Sequence, residues 1–111
     1  MANPWSTEEI ARARAVPPLV VLETIGAYYK RDETYLPADP HAKSFRVQVS
    51  WQGRDFRFIF TGEKWLNDLR DRGDKSRGGG GSIDLVTHIT GAHFVQAVKI
   101  CLNARSEEVL K

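Results

Sequence analysis

An alternation of apolar and polar residues between Ser44 and Thr61, with Ile59 as the one apolar exception, constrains the fold of this 111-residue chain more than any other feature. A period of two is typical of strands with one buried face, and Gln52-Gly53 in the middle can form a two-residue turn. That turn would place the apolar side chains of both strands on one face. The pattern therefore predicts an antiparallel hairpin with an aromatic face, in which Val49 pairs with Phe56, Val47 with Phe58 and Phe45 with Phe60.

Helix signals come before the hairpin. Ser6 and Glu9 have the spacing of a capping box, which predicts a helix over residues 7–15 that ends before Pro17-Pro18. The second proline can start another helix, LVVLETI, which Gly26 would end with a left-handed cap. The polar segment that follows, YYKRDETYLPADPHAK, predicts an irregular loop with one short strand.

One strand and two helices are predicted after the hairpin. Residues 64–67 would add a third strand to the sheet. Ser82 is a candidate cap for a helix over residues 83–90, which Gly91 would end. A last helix is predicted over residues 94–104. Its buried face is expected to contain Phe94, Val98 and Cys101 or Leu102.

These elements together predict a small α+β domain. We expect an antiparallel sheet of three or four strands, two N-terminal helices, and two C-terminal helices packed on the aromatic face of the sheet. The length favours a single domain, residues 1–111, with an N-terminal arm at residues 1–17 and a core at residues 18–111. The composition, 41% hydrophobic and 27% charged, is typical of a globular protein.

Residues of the types that build catalytic and metal sites are sparse. The single cysteine, Cys101, excludes an internal disulfide and any zinc site with two cysteines, and it favours a reducing cytoplasm. His41, His88 and His93 have no HExxH or CxxC companion, and no serine lies in a GxSxG context. No apolar run approaches the roughly 18 residues of a membrane span. We predict a cytoplasmic protein that is not an enzyme and that needs no metal, cofactor or membrane.

The run RGGGGS at residues 77–82 allows three interpretations. Four glycines before a helix could bind an anion through their N–H groups, but the lysine that a P-loop requires is absent after Gly81. An artificial linker would not be expected to continue into a helical pattern that stops at Gly91. We therefore predict a flexible turn, flanked by basic residues, that leads into a capped helix.

The polar face of the predicted sheet is the candidate binding site. Arginines and lysines beside an exposed tryptophan would combine phosphate neutralisation with base stacking, as in proteins that bind single strands. The alternative, which the residues alone favour, is a solvated face with both Trp51 and Trp65 in the core. The candidate contacts to single-stranded DNA are Arg46, Arg57, Lys64, Trp65, Lys75 and Arg77.

The segment GSIDLVTHITGAHFVQAVKICL resembles the end of the zinc-finger domain at the N-terminus of bacterial, phage and plasmid DNA primases. The matching positions are Gly81, Ile83, Asp84, Val86, Gly91, Phe94, Ala97 and Val98. Upstream, LPADPHAKSFRV is similar to the CPxHxExxPSF stretch of that family, with Pro37, Lys43, Ser44 and Phe45 in corresponding places.

The chain departs from the family at the metal ligands. Leu36 stands where the family has its first cysteine, and LNDLRDRGDKSR replaces the second CxxC. His41 lies near a ligand position, but one histidine cannot hold a zinc ion. The resemblance therefore implies a metal-free relative of the Cys-His-Cys-Cys domain.

In that family the domain contacts single-stranded template DNA, and a separate Toprim domain carries out the nucleotide chemistry. The resemblance implies a non-catalytic DNA-binding module of a plasmid, phage or integrative-element replication system, either a stand-alone relative or the N-terminal domain of a larger primase. A Toprim primase domain or a helicase would be a further partner. The alternative is a protein-interaction domain that docks on a primase, helicase or host factor. Buried tryptophans and an apolar surface patch would favour this alternative over a basic face with an exposed aromatic side chain.

Overall fold

The structure of the chain is a computed structural model that describes residues 4–37, 39, 41, 43–70, 73–74 and 77–110, with side chains up to residue 104. The strands form one antiparallel sheet in the order β1-β2-β3-β4-β5. The α+β class is confirmed, whereas the predicted number of three or four strands is wrong. The elements of the described residues are α1 (Thr7–Arg14), α2 (Pro18–Thr24), β1 (Tyr28–Asp32), β2 (Phe45–Trp51), β3 (Arg54–Thr61), β4 (Lys64–Asn67), β5 (Gly78–Gly80), α3 (Ser82–Thr90) and α4 (Phe94–Leu110).

The central hairpin has the predicted register. Val49 pairs with Phe56, and Phe45 pairs with Phe60, whose ring centroid lies 5.5 Å away. Gln52 and Gly53 both have positive φ, 47° and 79°, as a type I′ turn requires. The short strand predicted in the polar segment is β1, which pairs with β2 at the edge of the sheet.

Two apolar clusters form the core on one side of the sheet, which we call the inner face. The first joins α2 and α3 to the sheet, and the second joins α4 to the other helices. The opposite face, which we call the outer face, carries polar side chains and two half-buried apolar ones, Ile59 and Leu66. The buried members of the first cluster are Leu22, Val47, Val49, Phe56, Phe58, Phe60, Trp65, Leu85 and Ile89.

Local capping signals are confirmed at three helix ends. The Ser6 hydroxyl accepts a hydrogen bond from the Glu9 N–H (3.0 Å), and the Glu9 carboxylate accepts one from the Ser6 N–H (3.0 Å). Gly26 and Gly91 both have a φ of 76° after α2 and α3, in the left-handed region that favours glycine.

The predicted cap of α3 is wrong. Gly81 occupies the N-cap position, with a φ of 86°. Ser82 is buried in the first turn instead, and its hydroxyl donates to the C=O of Val16. This hydrogen bond ties the start of α3 to the segment between α1 and α2, a contact that no local pattern in the sequence indicates.

The predicted burial of Phe94 is also wrong, because its side chain is 45% exposed. Side chains in a helix point towards its N-terminus, so that of the first residue extends past the helix end. Val98 and Cys101, which lie further along α4, are fully buried as predicted.

The glycine run forms a strand rather than a flexible turn. Gly79 pairs with Trp65 of β4, and the Trp65 indole lies over the glycine on the inner face. A Cβ atom on Gly79 would be only 2.8 Å from Cζ2 of that indole. Glycine is required there because the aromatic ring occupies the space of a side chain.

Gly79→Ala is expected to lower the free energy of unfolding by about 1–3 kcal/mol, because the added methyl group would overpack the core against the indole. Gly80→Ala is the matched control, since a Cβ atom on Gly80 meets nothing within 4 Å. It should leave stability unchanged or raise it by up to about 1 kcal/mol. Urea unfolding followed by tryptophan fluorescence measures both changes, and equal effects would contradict the packing described.

Candidate interaction surface

The predicted nucleic-acid contacts do not come together as one surface. Arg46, Arg57 and Lys64 lie on the outer face, whereas Trp65 lies in the core. Arg77 directly precedes β5, and Lys75 lies outside the described residues.

Trp65 is a core residue, and the expectation that it is exposed is wrong. Its side chain is 6% exposed, and its ring packs edge-on against Phe58 at a centroid distance of 5.6 Å. The indole N–H donates to the C=O of Gly81 (3.2 Å). Trp51 is half-buried and donates in the same way to the C=O of Ile25 (3.1 Å). Trp65 pairs with Phe60, so the alternation of β4 places it on the inner face.

The two outer-face arginines are held by aspartates. The Nη2 atom of Arg46 lies 2.6 Å from Oδ2 of Asp32, and its Nε atom lies 2.8 Å from the same oxygen. Arg57 forms an ion pair of 3.0 Å with Asp68, which also lies 3.7 Å from Arg46. Two positive and two negative charges therefore balance within this network, and a phosphate group would have to compete with carboxylates already in place.

Sequence reasoning did not identify Asp32 or Asp68 as partners. They lie on β1 and directly after β4, and only the strand order brings them to the same two arginines. The Thr34 side chain and main chain both donate to Asp32, at 2.6 and 3.0 Å. These hydrogen bonds, together with those from Arg46, lower the pKa of Asp32 to about 2.

Other charges on the outer face are less constrained. Lys30 and Lys64 are exposed, and neither forms an ion pair within the part of the chain that the structure describes. Tyr28, at the start of β1, is 69% exposed. Asp32 pairs with Arg46 and lies on the same face of the sheet. Tyr28 and Lys30 are an even number of residues before Asp32 on β1, so they lie on that face too.

The free edge of β5 presents main-chain groups without side chains. The Gly81 N–H donates to the C=O of Glu63 (2.6 Å), which makes Gly79 and Trp65 the next hydrogen-bonded pair. Gly78 and Gly80 fall between those pairs, so their N–H and C=O groups point away from β4. Among the described residues, no main-chain hydrogen bond outside the helices and strands involves these four groups.

The two edge strands of the sheet differ in how strongly their side chains discourage pairing with another strand. Edge strand β1 carries Lys30, Arg31 and Asp32, and charged side chains of this kind discourage pairing with another strand. Edge strand β5 has three glycines, all of them half-buried rather than enclosed. Of the two edge strands that the structure describes, β5 is therefore the one whose own residues carry no side chains. The prediction of a flexible turn missed this edge.

No group of three or more His, Cys, Asp or Glu residues could hold a metal ion in the described ranges. Burial raises the pKa of the Cys101 thiol to about 12, so the thiol stays protonated at neutral pH. No single helix among the described residues is long and apolar enough to cross a membrane; α3 and α4 pass that test only as a pair bent by 115°.

No family model, curated protein or solved structure matches this chain. The resemblance to primase zinc domains therefore stays a prediction that depends on the residues quoted above.

The low pKa of Asp32 predicts a loss of stability in acid. Its folded value of about 2 lies below the ordinary 3.8, so the charged carboxylate stabilises the fold above pH 3.8 and this contribution disappears as the pH falls towards 2. Asp32→Asn should be less stable than the wild type at neutral pH and should lose less stability over that range. Urea unfolding at a series of pH values measures this, with the exposed neighbour Glu33→Gln as the control. Parallel pH curves for Asp32→Asn and the wild type would contradict it.

Proposed function

We propose that this chain is a non-catalytic protein-interaction domain that binds an extended segment of a partner as a sixth strand beside β5. The observation that carries the proposal is the outward direction of the N–H and C=O groups of Gly78 and Gly80. A strand added at that edge would pair with all four groups. The resemblance to primases suggests a partner from replication or transfer machinery, such as a Toprim primase domain, a helicase or a host factor.

A flexible segment fits this edge better than a second copy of the domain. Two folded copies that meet only along three residues would bury far less than the roughly 1,200 Å² of a stable specific interface. An extended peptide can pair along β5 through main-chain hydrogen bonds without having to fit a second folded surface against the domain. The partner segment is therefore expected to be unstructured before it binds, and to become ordered as a strand.

The tryptophans and arginines support this function over DNA binding. Trp65 is buried and Trp51 is half-buried, so neither offers a free ring to a base. Arg46 and Arg57 are already neutralised by carboxylates. A single-strand binder would be expected to leave such groups available for phosphates and bases.

Binding of single-stranded DNA on the outer face is the second candidate. The observation that favours it is the presence of exposed Lys30 and exposed Tyr28 on one strand of that face, with Lys64 exposed on another. Lysine ammonium groups would contact phosphates, and the tyrosine ring would stack on a base. This candidate keeps the outer face and Lys64 from the binding site that was predicted from the sequence.

Gly80→Pro tests strand addition, because it removes an N–H that faces the free edge and leaves the pairing with β4 intact. Gly80→Ala keeps that N–H and is the control. Random peptides displayed on phage and selected on the wild-type chain should bind Gly80→Ala and lose binding to Gly80→Pro. Circular dichroism establishes that both variants are folded. Selected peptides that bind Gly80→Pro equally well, or a selection that yields none, would refute the proposal.

A salt titration tests the second candidate. If the outer face binds DNA, the anisotropy of a fluorescent oligothymidylate should rise with protein, and the affinity should fall steeply between about 50 and 200 mM salt. Replacing Lys30 and Lys64 together by alanine should lower the affinity and reduce the salt dependence. Gly80→Pro should have no effect on this binding. An oligonucleotide that stays unbound at low salt eliminates the candidate.

A further inference from the structure

The side chains beside β5 would favour some residues of an added partner strand over others. We infer that the β5 edge selects an antiparallel segment in which an acidic residue is followed, two positions later, by an apolar residue. This inference rests on the proposed function, because it concerns the partner strand that would be added at that edge. It depends on Lys64 and Leu66, the outer-face residues of β4 that pair with Gly80 and Gly78.

Leu66 supplies the apolar preference. A Cβ atom on Gly78 would lie 3.3 Å from Cδ1 of Leu66, which means that the leucine side chain extends over the glycine towards the free edge. Ile59 of β3 pairs with Leu66 and continues the apolar row away from the free edge. A partner residue opposite Gly78 would therefore find a half-buried apolar surface on its outer side.

Lys64 supplies the acidic preference. It is exposed and pairs with Gly80, beside which a Cβ atom would meet nothing within 4 Å. A partner residue opposite Gly80 would be two strand spacings from Lys64, roughly 10 Å between backbones. A lysine and a glutamate side chain together can span that distance across the glycine. The ammonium group would then be able to pair with a carboxylate on the added strand.

The order of the two residues follows from strand direction. All pairs in the sheet are antiparallel, and an antiparallel partner would pass Gly80 before it reaches Gly78. The acidic residue therefore precedes the apolar one. The residue between them would face the inner side near Asp84, whose Cβ atom lies 3.3 Å from the Cβ position of Gly79. A carboxylate at that middle position would be repelled, so we expect a basic or neutral residue there.

Two synthetic peptides of identical composition test the inference on the full 111-residue chain. Both have the same threonine-rich flanks, and the cores are Glu-Lys-Val and the reversed Val-Lys-Glu. Fluorescence anisotropy should show that the first peptide binds more tightly. Lys64→Glu should weaken it about two- to fivefold, as expected for the loss of an exposed ion pair. The same variant should bind a Lys-Lys-Val peptide more tightly than the wild type does.

A third peptide tests the main-chain contacts without a change to the protein. N-methylation of the glutamate and valine nitrogens removes the two N–H groups that would face Gly80 and Gly78, and should abolish binding. Equal binding of the Glu-Lys-Val and Val-Lys-Glu peptides would overturn the sequence preference. If that binding were still lost in Gly80→Pro and kept in Gly80→Ala, strand addition itself would stand. Tighter binding of the reversed peptide would overturn the antiparallel order, and no binding of any peptide would overturn both proposals.

Discussion

The contact between the Trp65 indole and Gly79 is the one on which the rest of the structure depends. The indole fills the side-chain space of the glycine, packs against Phe58, and donates its N–H to Gly81 at the start of α3. One side chain thereby holds together the sheet, its last strand and the helix that covers it. The same contact explains the glycine at the centre of β5, because a larger residue there would displace the ring.

This packing has a consequence at the surface. A strand whose centre must be glycine, and whose neighbours Gly78 and Gly80 also lack side chains, presents bare main chain at its free edge. Natural proteins usually protect such an edge with charged or bulky residues, as β1 does here. The interaction function that we propose therefore follows from the way in which the core is packed.

The ion pairs of the outer face connect segments that are far apart in the chain. Arg46 joins Asp32, at the end of β1, to Asp68, just after β4. These ion pairs are partly exposed, so solvent screens them and each contributes little to stability by itself.

Local interactions in the sequence determined the hairpin and the helix ends. The two-residue period, the Gln52-Gly53 turn and the Ser6 capping box each depend on residues that are close in the chain, so a pattern of a few residues was sufficient to predict them. The tertiary structure alone decided that the glycine run is a strand, that Trp65 is buried over it, and that Asp32 and Asp68 neutralise the arginines. Each of these depends on which distant strands become neighbours, and hydrophobic periodicity carries no information about that choice.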